Sequence, residues 1–400
     1  MRGGLNKRLL ALFIVSVIDI LGFGILIPLV PYMGERFGVP PQWITPILGA
    51  YSLFQFISAP LWGRLSDRYG RRMILMTSLG GACVSYVILG LADNVWWLIA
   101  SRILGGFMAG NIAAAFAYAS DVSEPRNRAA SLGLIGAAIG IGFTVGPAIG
   151  GVLAGNDVHT AHFERAATVS VCLSLLAIAL VAIVLPESKT AAQRAHYSSR
   201  SRSRPLALLL ERPSLRLLAS AALLVTFSQS LLESIFAIWA LNKFGFGPQT
   251  VGLLLFCFAS LAVLMQGGLV RVLVPRLGEP KLAALGVLAY VAGLLIVAES
   301  ANQIATAVGL ALCGIGTGAF SPSASALASK QSDEHERGAV MGTYQSSSSL
   351  ARAIGPFVSG PVYATFGASA PYLLGALVAL PAVWLVWRVR LQPAYAAREA

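Results

Sequence analysis

Charge is scarce in this chain, and negative charge is scarcest. Only 12% of the 400 residues are charged, and Asp and Glu number 17 against 29 Lys and Arg. A water-soluble domain carries about a quarter charged residues, so this composition excludes a soluble fold. The net charge of +12 does not indicate a nucleic acid partner, because the basic residues recur between apolar runs and do not cluster in one patch.

Cysteine and histidine are also sparse, with four residues of each. The cysteines all fall in apolar runs, which predicts buried thiols and neither a disulfide framework nor a metal cluster. They are Cys83, Cys172, Cys257 and Cys313. The histidines fall in connecting segments at different depths, where no nucleophile–base pair can form. They are His159, His162, His196 and His335. The sequence therefore argues against an enzyme and predicts no cofactor.

Long apolar runs are what the chain has in abundance. Hydrophobic residues make up 56% of it, and most runs approach the roughly 20 residues that a helix needs to cross the hydrocarbon of a bilayer. We count twelve runs, so the predicted fold is an all-α membrane protein with twelve transmembrane helices. The predicted spans lie near 8–33, 43–62, 73–92, 95–120, 129–155, 164–185, 214–240, 250–274, 281–299, 302–328, 338–366 and 371–388.

The spans form two halves that repeat each other. A Ser- and Arg-rich stretch at 186–213 separates residues 1–185 from residues 214–400, and it predicts a cytoplasmic linker. The halves match at a spacing of about 209 residues, which pairs Arg128 with Arg337, Gly133 with Gly342, Gly146 with Gly355, Pro147 with Pro356, and Gly151 with Gly360. Each half contains six predicted spans, an even number, so the second half enters the membrane in the same orientation as the first. We therefore expect two parallel six-helix bundles with a substrate site between them.

The basic residues predict the orientation of the spans. If both termini are cytoplasmic, only Arg36, Arg165 and Lys243 of the 29 Lys and Arg lie outside, and two more lie deep within spans. This asymmetry satisfies the positive-inside rule. The basic, apolar N-terminus imitates a signal peptide, but it lacks a small-residue cleavage site and its apolar run continues to about Met33. We therefore expect a retained first helix.

A glycine-bounded basic decapeptide, GRLSDRYGRR at 63–72, separates the second and third predicted spans. We predict that its charges sit in a short loop where the two runs leave the bilayer. The decapeptide resembles the signature loop of the major facilitator superfamily, and the resemblance implies a cytoplasmic gate. Its residues here are Gly63, Asp67, Arg68, Gly70, Arg71 and Arg72. A partial second copy, RLGEPK, places Gly278 at the position of Gly70 and lacks the aspartate.

Asp67 is the only acid in this loop, and the resemblance implies that it latches the cytoplasmic ends of the two halves. The positive N-terminus of the eleventh helix, just after Arg337, offers a physical partner for it. Alternatively, the loop charges only anchor helix ends under the positive-inside rule, which suits Arg71 and Arg72.

The fifth predicted span carries small residues on one face, which allows close helix contact, and a proline that predicts a bend. Gly142, Gly146 and Gly150 form this face, Pro147 lies between them, and Gly151 follows in the same run. Packing alone would explain the glycines. However, the run GFTVGPAIGG resembles the motif of proton-coupled antiporters in the superfamily, which favours an exporter over an importer.

Four charged residues fall deep inside spans, away from the span ends, where each costs about 2.5–3.5 kcal/mol and should be paired, solvated or functional. They are Asp19, Arg102, Glu233 and Arg352. Asp19 lies in SVIDILGFGILIPLVPY, which resembles the first span of tetracycline exporters and implies a proton carrier; alternatively, it is a structural partner of Arg102. Arg102 resembles the family's intramembrane arginine, which relays between the cavity and an acid. Asn111 ranks low, because on a straight helix it faces away from Arg102 unless Gly105, Gly106 or Gly110 bends the helix.

Glu233 is a second candidate proton carrier, equal in rank to Asp19. With Gln229 it forms a polar stripe on the seventh span that should face the cavity. Gln345, Ser348 and Arg352 form another stripe on the eleventh span, which offers hydrogen bonds and a positive charge to a cargo. Alternatively, Arg352 pairs permanently with Glu233 as a structural tie.

Drug–proton antiporters that include the tetracycline exporters are the group that the chain resembles most, and the resemblance extends over essentially its whole length. The resemblance implies proton-coupled efflux by a monomer in a bacterial inner membrane, with a small molecule, protons and lipid as partners. Ser85 stands where tetracycline exporters tend to place an aspartate, and the ninth span contains no acid, so tetracycline itself does not follow. A metabolite or sugar facilitator or symporter of the same fold stays open.

Overall fold

The computed structural model describes residues 7–124, 127–158, 160–188, 209, 211–331 and 336–389, and within them every regular element is a helix. The first eight helices are α1 (Lys7–Leu26), α2 (Leu29–Arg36), α3 (Pro41–Tyr69), α4 (Arg71–Gly90), α5 (Val95–Phe107), α6 (Asn111–Asp121), α7 (Arg128–Ala154) and α8 (Phe163–Val184). The others are α9 (Pro213–Phe244), α10 (Pro248–Leu264), α11 (Val270–Leu277), α12 (Glu279–Glu299), α13 (Gln303–Ser329), α14 (Arg337–Phe366), α15 (Ala370–Ala379) and α16 (Pro381–Trp387). A π-helical turn, Met265–Leu269, joins α10 to α11.

Eleven of the twelve predicted spans are confirmed as helices long and apolar enough to cross a membrane, within the described part of the chain. Some of these spans join two helices, as α1 with α2 and α5 with α6. The remaining helix, α14, is 30 residues long but is rich in polar residues, among them Gln345 and Arg352. The fold is therefore an all-helical membrane fold. Most of the stretch predicted as the linker lies outside the described residues.

The helices form two compact units whose boundaries do not follow chain order. Unit 1 comprises residues 1–40, 50–201 and 245–256, and unit 2 comprises residues 41–49, 202–244 and 257–400. The first turns of α3 thus belong to unit 2, and the first turns of α10 belong to unit 1. Each unit therefore includes the start of one helix whose remaining residues belong to the other unit.

Glycines on α7 let it pack directly against α1 in unit 1. A methyl group added to Gly146 would lie 2.6 Å from the Cα atom of Gly24, and one added to Gly142 would lie 2.7 Å from the Cβ atom of Ile20. On another face, a methyl group at Gly151 would lie 2.9 Å from the Cα atom of Gln249 in α10. Helices can approach this closely only where the α7 residue has no side chain, so α7 packs directly against both α1 and the start of α10.

The same packing recurs on α14 in unit 2, at the positions that the internal repeat pairs with α7. A methyl group at Gly355 would lie 2.6 Å from the Cβ atom of Ser230 on α9, and one at Gly360 would lie 2.7 Å from the carbonyl oxygen of Pro41 in α3. The repeated glycines therefore serve the same packing purpose in both units.

The exposure of the cysteines contradicts the prediction that all four thiols are buried. All four are free, and Cys313 is buried, but Cys83 is only partly buried and Cys172 and Cys257 are exposed. A position within an apolar span does not fix which face of the helix a side chain occupies. In a membrane protein a thiol on the outer face still lies in an apolar solvent, so exposure there costs little.

Candidate functional site

Asp19 lies at the middle of α1 and is buried, with 8% of its surface exposed. Its carboxylate Oδ2 accepts a hydrogen bond from the Nδ2 group of Asn111 on α6. The two residues line one small cavity together with Ser16 and apolar side chains of α1, α4, α6 and α7. The structure thus gives Asp19 a neutral amide as its hydrogen-bond partner.

A helix break brings Asn111 to Asp19 and corrects the low rank that a straight helix implied. The α5 helix ends at Phe107, and α6 begins at Asn111. Ser78 on α4 holds the break, because its hydroxyl donates to the carbonyl of Met108 and accepts from the backbone N–H of Asn111 at 2.9 Å. Gly110 is required there, because an added methyl group would lie 2.7 Å from the Cβ atom of Trp62.

Arg102 on α5 is buried with 3% of its surface exposed, yet within the described residues no ion pair joins it to Asp19. Its Nε group donates to the hydroxyl of Ser101 at 3.4 Å, and its guanidinium carbon lies 6.0 Å from the ring centroid of Tyr51. The two charges therefore share one unit without forming the structural pair considered above. This leaves the Asp19 carboxylate without a bonded cation.

Glu233 has a different environment in unit 2. Gln229, one turn earlier on α9, donates from Nε2 to Glu233 Oε1 at 2.7 Å, so the predicted polar stripe is formed. Glu233 itself is exposed, as is Arg352 on α14. The charge of Arg352 acts on Glu233 electrostatically, but no ion pair links them among the described residues.

The polar stripe on α14 divides between exposed and buried positions. Gln345 and Arg352 are exposed, whereas Ser348 is buried with 7% of its surface exposed. The carbonyl of Arg352 accepts a hydrogen bond from the hydroxyl of Ser230 at 3.2 Å, which fixes α14 against α9. Gln345 and Arg352 are thus exposed and available to a ligand, whereas Ser348 is buried.

The basic decapeptide lies almost entirely in a helix, not in the short loop predicted for it. The α3 helix continues to Tyr69, and α4 begins at Arg71, so Gly70 alone makes the turn. Its φ of 104° is a backbone conformation that L side chains rarely adopt. Gly63 lies within α3 with nothing near its missing side chain, and the Arg68 guanidinium stacks over Tyr69 at 5.3 Å.

Arg71 is the centre of a charged cluster at this turn. It donates to Asp67 Oδ1 at 2.7 Å, to the Ser66 hydroxyl at 2.8 Å and to Asp121 Oδ2 at 3.1 Å. Its side chain is only 8% exposed, so these three bonds satisfy a nearly buried guanidinium. Arg71 therefore does more than anchor a helix end, because it ties α3 and α4 to the end of α6.

Glu187 completes the cluster, and sequence reasoning missed it. Its carboxylate accepts hydrogen bonds from the backbone N–H groups of Arg71 at 2.8 Å and of Arg72 at 3.2 Å. Gly70 has no side chain that could cap α4, so Glu187 supplies the cap and places a negative charge at the positive end of that helix. The available signal was an acid directly after the sixth span, in the stretch PES.

We expect Glu187→Ala to lower the stability of the protein by about 1–2 kcal/mol, the usual cost of losing a helix cap with its charge. Thermal unfolding in detergent, followed by circular dichroism, would measure the change. Glu299→Ala is a matched control, because Glu299 is an exposed acid at the other end of a helix, the end of α12. Equal melting temperatures for the two variants would show that the cap contributes nothing.

The second copy of the turn carries a charge-inverted version of one ion pair. Gly278 also has a positive φ, of 76°, and the next residue, Glu279, pairs with Lys330 at 2.8 Å. The internal repeat places Glu279 at the position of Arg71 and Lys330 at that of Asp121. Each unit thus ties its helix turn to the end of a neighbouring helix by an ion pair, with the signs exchanged.

This inversion predicts a rescue by charge exchange. Glu279→Lys alone should lower stability by roughly 1–3 kcal/mol, since both side chains are only 17% exposed and two cations would then meet. Adding Lys330→Glu should restore most of the loss in the same unfolding assay. If the double variant is no more stable than the single one, the pair does not provide the link.

The fold and its motifs have counterparts among known proteins. The family model of the Major Facilitator Superfamily matches residues 12–278 and 218–399. The class C tetracycline resistance protein of Escherichia coli is 29% identical over 94% of this chain and 96% of that protein. The class G protein of Vibrio anguillarum is 31% identical over 91% and 92%. The crystal structure of the human organic anion transporter MFSD10 (TETRAN) matches with a TM-score of 0.72 at 25% identity, covering 95% of this chain and 99% of that chain.

Proposed function

The chain belongs to the Major Facilitator Superfamily of secondary transporters, and from that premise we propose that it exports drugs or other small amphipathic molecules in exchange for protons. It is a multi-pass membrane transporter of small molecules and not an enzyme. The proposal concerns what it carries, in which direction, and what drives the movement.

The isolation of Asp19 is the observation that supports proton coupling. An ionised carboxylate costs several kcal/mol to bury unless a cation or several donors compensate it. Within the described residues Asp19 has one amide donor and no paired cation. Taking up a proton removes this cost, and releasing the proton restores it, so Asp19 has two states that a transport cycle can alternate. We assign Asp19 as the proton carrier and Arg102 as the cation that modulates it.

The proposed cargo-binding group consists of Glu233, Gln229, Gln345 and Arg352, with Ser348 as a buried neighbour on α14. An exposed acid and an exposed base on neighbouring helices offer partners to either sign of charge. Relatives with this fold include proteins named for tetracycline resistance and one named for organic anions. We infer that the cargo is amphipathic and carries at least one ionisable group.

The cytoplasmic gate is proposed for the cluster around Gly70, with Gly63, Asp67, Arg68, Arg71 and Arg72 as its members. The glycine-rich α7, with Gly142, Gly146, Pro147, Gly150 and Gly151, is proposed as the packing element of an antiporter. We further propose that the protein has twelve spans, with α14 as the one that hydropathy misses. In this proposal the spans form two six-helix bundles, at 1–185 and 214–400, joined by the linker at 186–213. The proposed protein is a monomer with both termini on the cytoplasmic side of a bacterial inner membrane.

The driving force is adequate for export. A proton that moves inward yields about 2.3 kcal/mol per 100 mV of membrane potential, plus its concentration term. This free energy drives cargo outward only if proton and cargo bind alternately.

Inverted membrane vesicles provide the test of this function. The vesicles are energised to an acid interior, candidate drugs are added singly, and fluorescence dequenching records protons that leave. We expect at least one amphipathic drug to trigger proton release from vesicles with the wild-type chain and not from those with Asp19→Asn. If cargo instead moves in the same direction as protons, the protein is a symporter and the efflux proposal is wrong.

A further inference from the structure

Asn111 presents two polar atoms near Asp19, and only one of them has a partner. The Nδ2 group donates to Asp19 Oδ2, whereas the Oδ1 atom is buried and accepts no hydrogen bond from any described residue. Asn111 as a whole is 9% exposed. Both residues line a cavity of about 10 Å³, which is apolar apart from Ser16 and these two side chains. A buried acceptor without a donor is costly, and structures rarely keep one without a purpose.

The chemistry of the two groups identifies the missing donor. An ionised carboxylate only accepts hydrogen bonds, so Asp19 in that state cannot satisfy Asn111 Oδ1. A protonated carboxyl group has one O–H donor and keeps a carbonyl acceptor. With a proton on Asp19, its O–H can donate to Asn111 Oδ1 while Asn111 Nδ2 still donates to the other oxygen. The acid and the amide then form two hydrogen bonds, and neither keeps an unpaired buried atom.

We propose that Asp19 and Asn111 together form the proton-binding site, and that Asn111 Oδ1 is the acceptor of the bound proton. The proposal rests on proton-coupled transport as the function of this chain, and it adds a residue to that site. The bound proton comes from water and returns to water, so no other reactant is needed. The cavity has about the volume that one water molecule requires, which gives the proton a place to enter or leave.

The other ionisable groups around Asp19 act at longer range. Arg102 on α5, Tyr51 on α3 and Tyr86 on α4 are coupled to this region electrostatically. The helices α7 and α8, which also pack on α1, carry no charged residue beyond their first turns, and the titratable Cys172 on α8 is exposed. None of these groups makes a hydrogen bond to Asp19 within the described part of the chain. The amide of Asn111 is therefore the group that accepts a hydrogen bond from the protonated carboxyl group of Asp19.

Infrared spectroscopy of the full chain in lipid tests the site without any drug. Difference spectra between high and low pH show the carbonyl stretch of each carboxyl group that takes up a proton, and Asp19→Asn identifies the Asp19 band by removing it. We expect Asn111→Leu to shift that band to higher frequency, because the carbonyl of protonated Asp19 loses its amide donor. Ile112→Val alters the same cavity wall without changing a polar atom, and it should leave the band in place.

Two results would overturn the proposal. In one, the Asp19 band has the same frequency in Asn111→Leu as in the wild type; in the other, the wild-type spectrum contains no band that Asp19→Asn removes. If Asn111→Leu does not fold, Asn111→Ser replaces it, and the band should then lie at a different frequency from that of the wild type. The infrared experiment uses no cargo, so it tests the proton site separately from antiport. If the band shifts as expected but no drug releases protons in the vesicle assay, antiport is refuted and the proton site is retained.

Discussion

Asp19→Asn is expected to abolish proton-driven transport, reducing it to the level of vesicles without the protein, and to weaken cargo binding. Asparagine has nearly the shape of aspartate but never takes up a proton, so the site is held in a neutral state resembling protonated Asp19. Because proton and cargo bind alternately, a carrier fixed in that state binds cargo weakly and can no longer couple its movement to protons. Reconstituted protein with labelled cargo inside and outside would separate exchange from proton-driven accumulation.

Glu233→Gln is the matched control for this loss, because it also replaces one intramembrane acid by its amide. Glu233 is exposed and is hydrogen bonded by Gln229, so it is assigned to cargo and not to the proton. We expect this variant to keep proton-driven transport of an anionic cargo, which Arg352 can still bind, and to transport cationic cargo less well. If Glu233→Gln uncouples transport and Asp19→Asn does not, the two roles are reversed.

Gly146→Leu is expected to prevent stable folding, with a loss of more than about 3 kcal/mol. The reason is geometric, since even the first side-chain carbon would lie 2.6 Å from the Gly24 Cα atom and 2.9 Å from the Ile25 backbone nitrogen. Both are backbone atoms of α1, so no side-chain rotation can relieve the overlap. The protein should fail to accumulate in the membrane, and any that is purified should elute as aggregate in size-exclusion chromatography.

Gly136→Leu makes the same change on the same helix and should fold normally. Gly136 is exposed on α7, and nothing lies within 4 Å of the position that its side chain would occupy. Leucine is also a better helix former than glycine by a few tenths of a kcal/mol or more. If both variants fold equally well, close packing between α7 and α1 is not what the glycines provide.

Hydropathy alone was enough to predict most of the fold. Crossing the hydrocarbon imposes a long apolar run, so eleven spans could be found from composition. The same criterion fails for α14, where Gln345, a run of serines and Arg352 lower the hydropathy of a helix that is long enough. Hydropathy also fails to locate helix ends that lie outside the hydrocarbon. For this reason a loop was predicted where α3 in fact continues to Tyr69.

The candidate site was harder to predict, because its contacts join residues far apart in the chain. Asn111 lies 92 residues from Asp19 and reaches it through a break at Met108–Gly110, where the nearby glycines allowed a bend but did not establish one. Glu187 lies 116 residues from Arg71 and caps a helix that its own sequence leaves uncapped. Residue type indicated that Asp19 and Arg102 needed partners, but periodicity along one helix could not show which residues on other helices would meet them.

The exchange of protons for cargo is tested most directly by measuring both fluxes in the same proteoliposomes. The purified chain is reconstituted with a pH-sensitive dye inside, a pH gradient is imposed without membrane potential, and labelled cargo is followed alongside internal pH. Antiport predicts that cargo accumulates on the acidic side, that each addition of cargo dissipates the gradient, and that Asp19→Asn removes both effects. Cargo that equilibrates at the same rate with and without the gradient, and leaves internal pH unchanged, would contradict proton-coupled export.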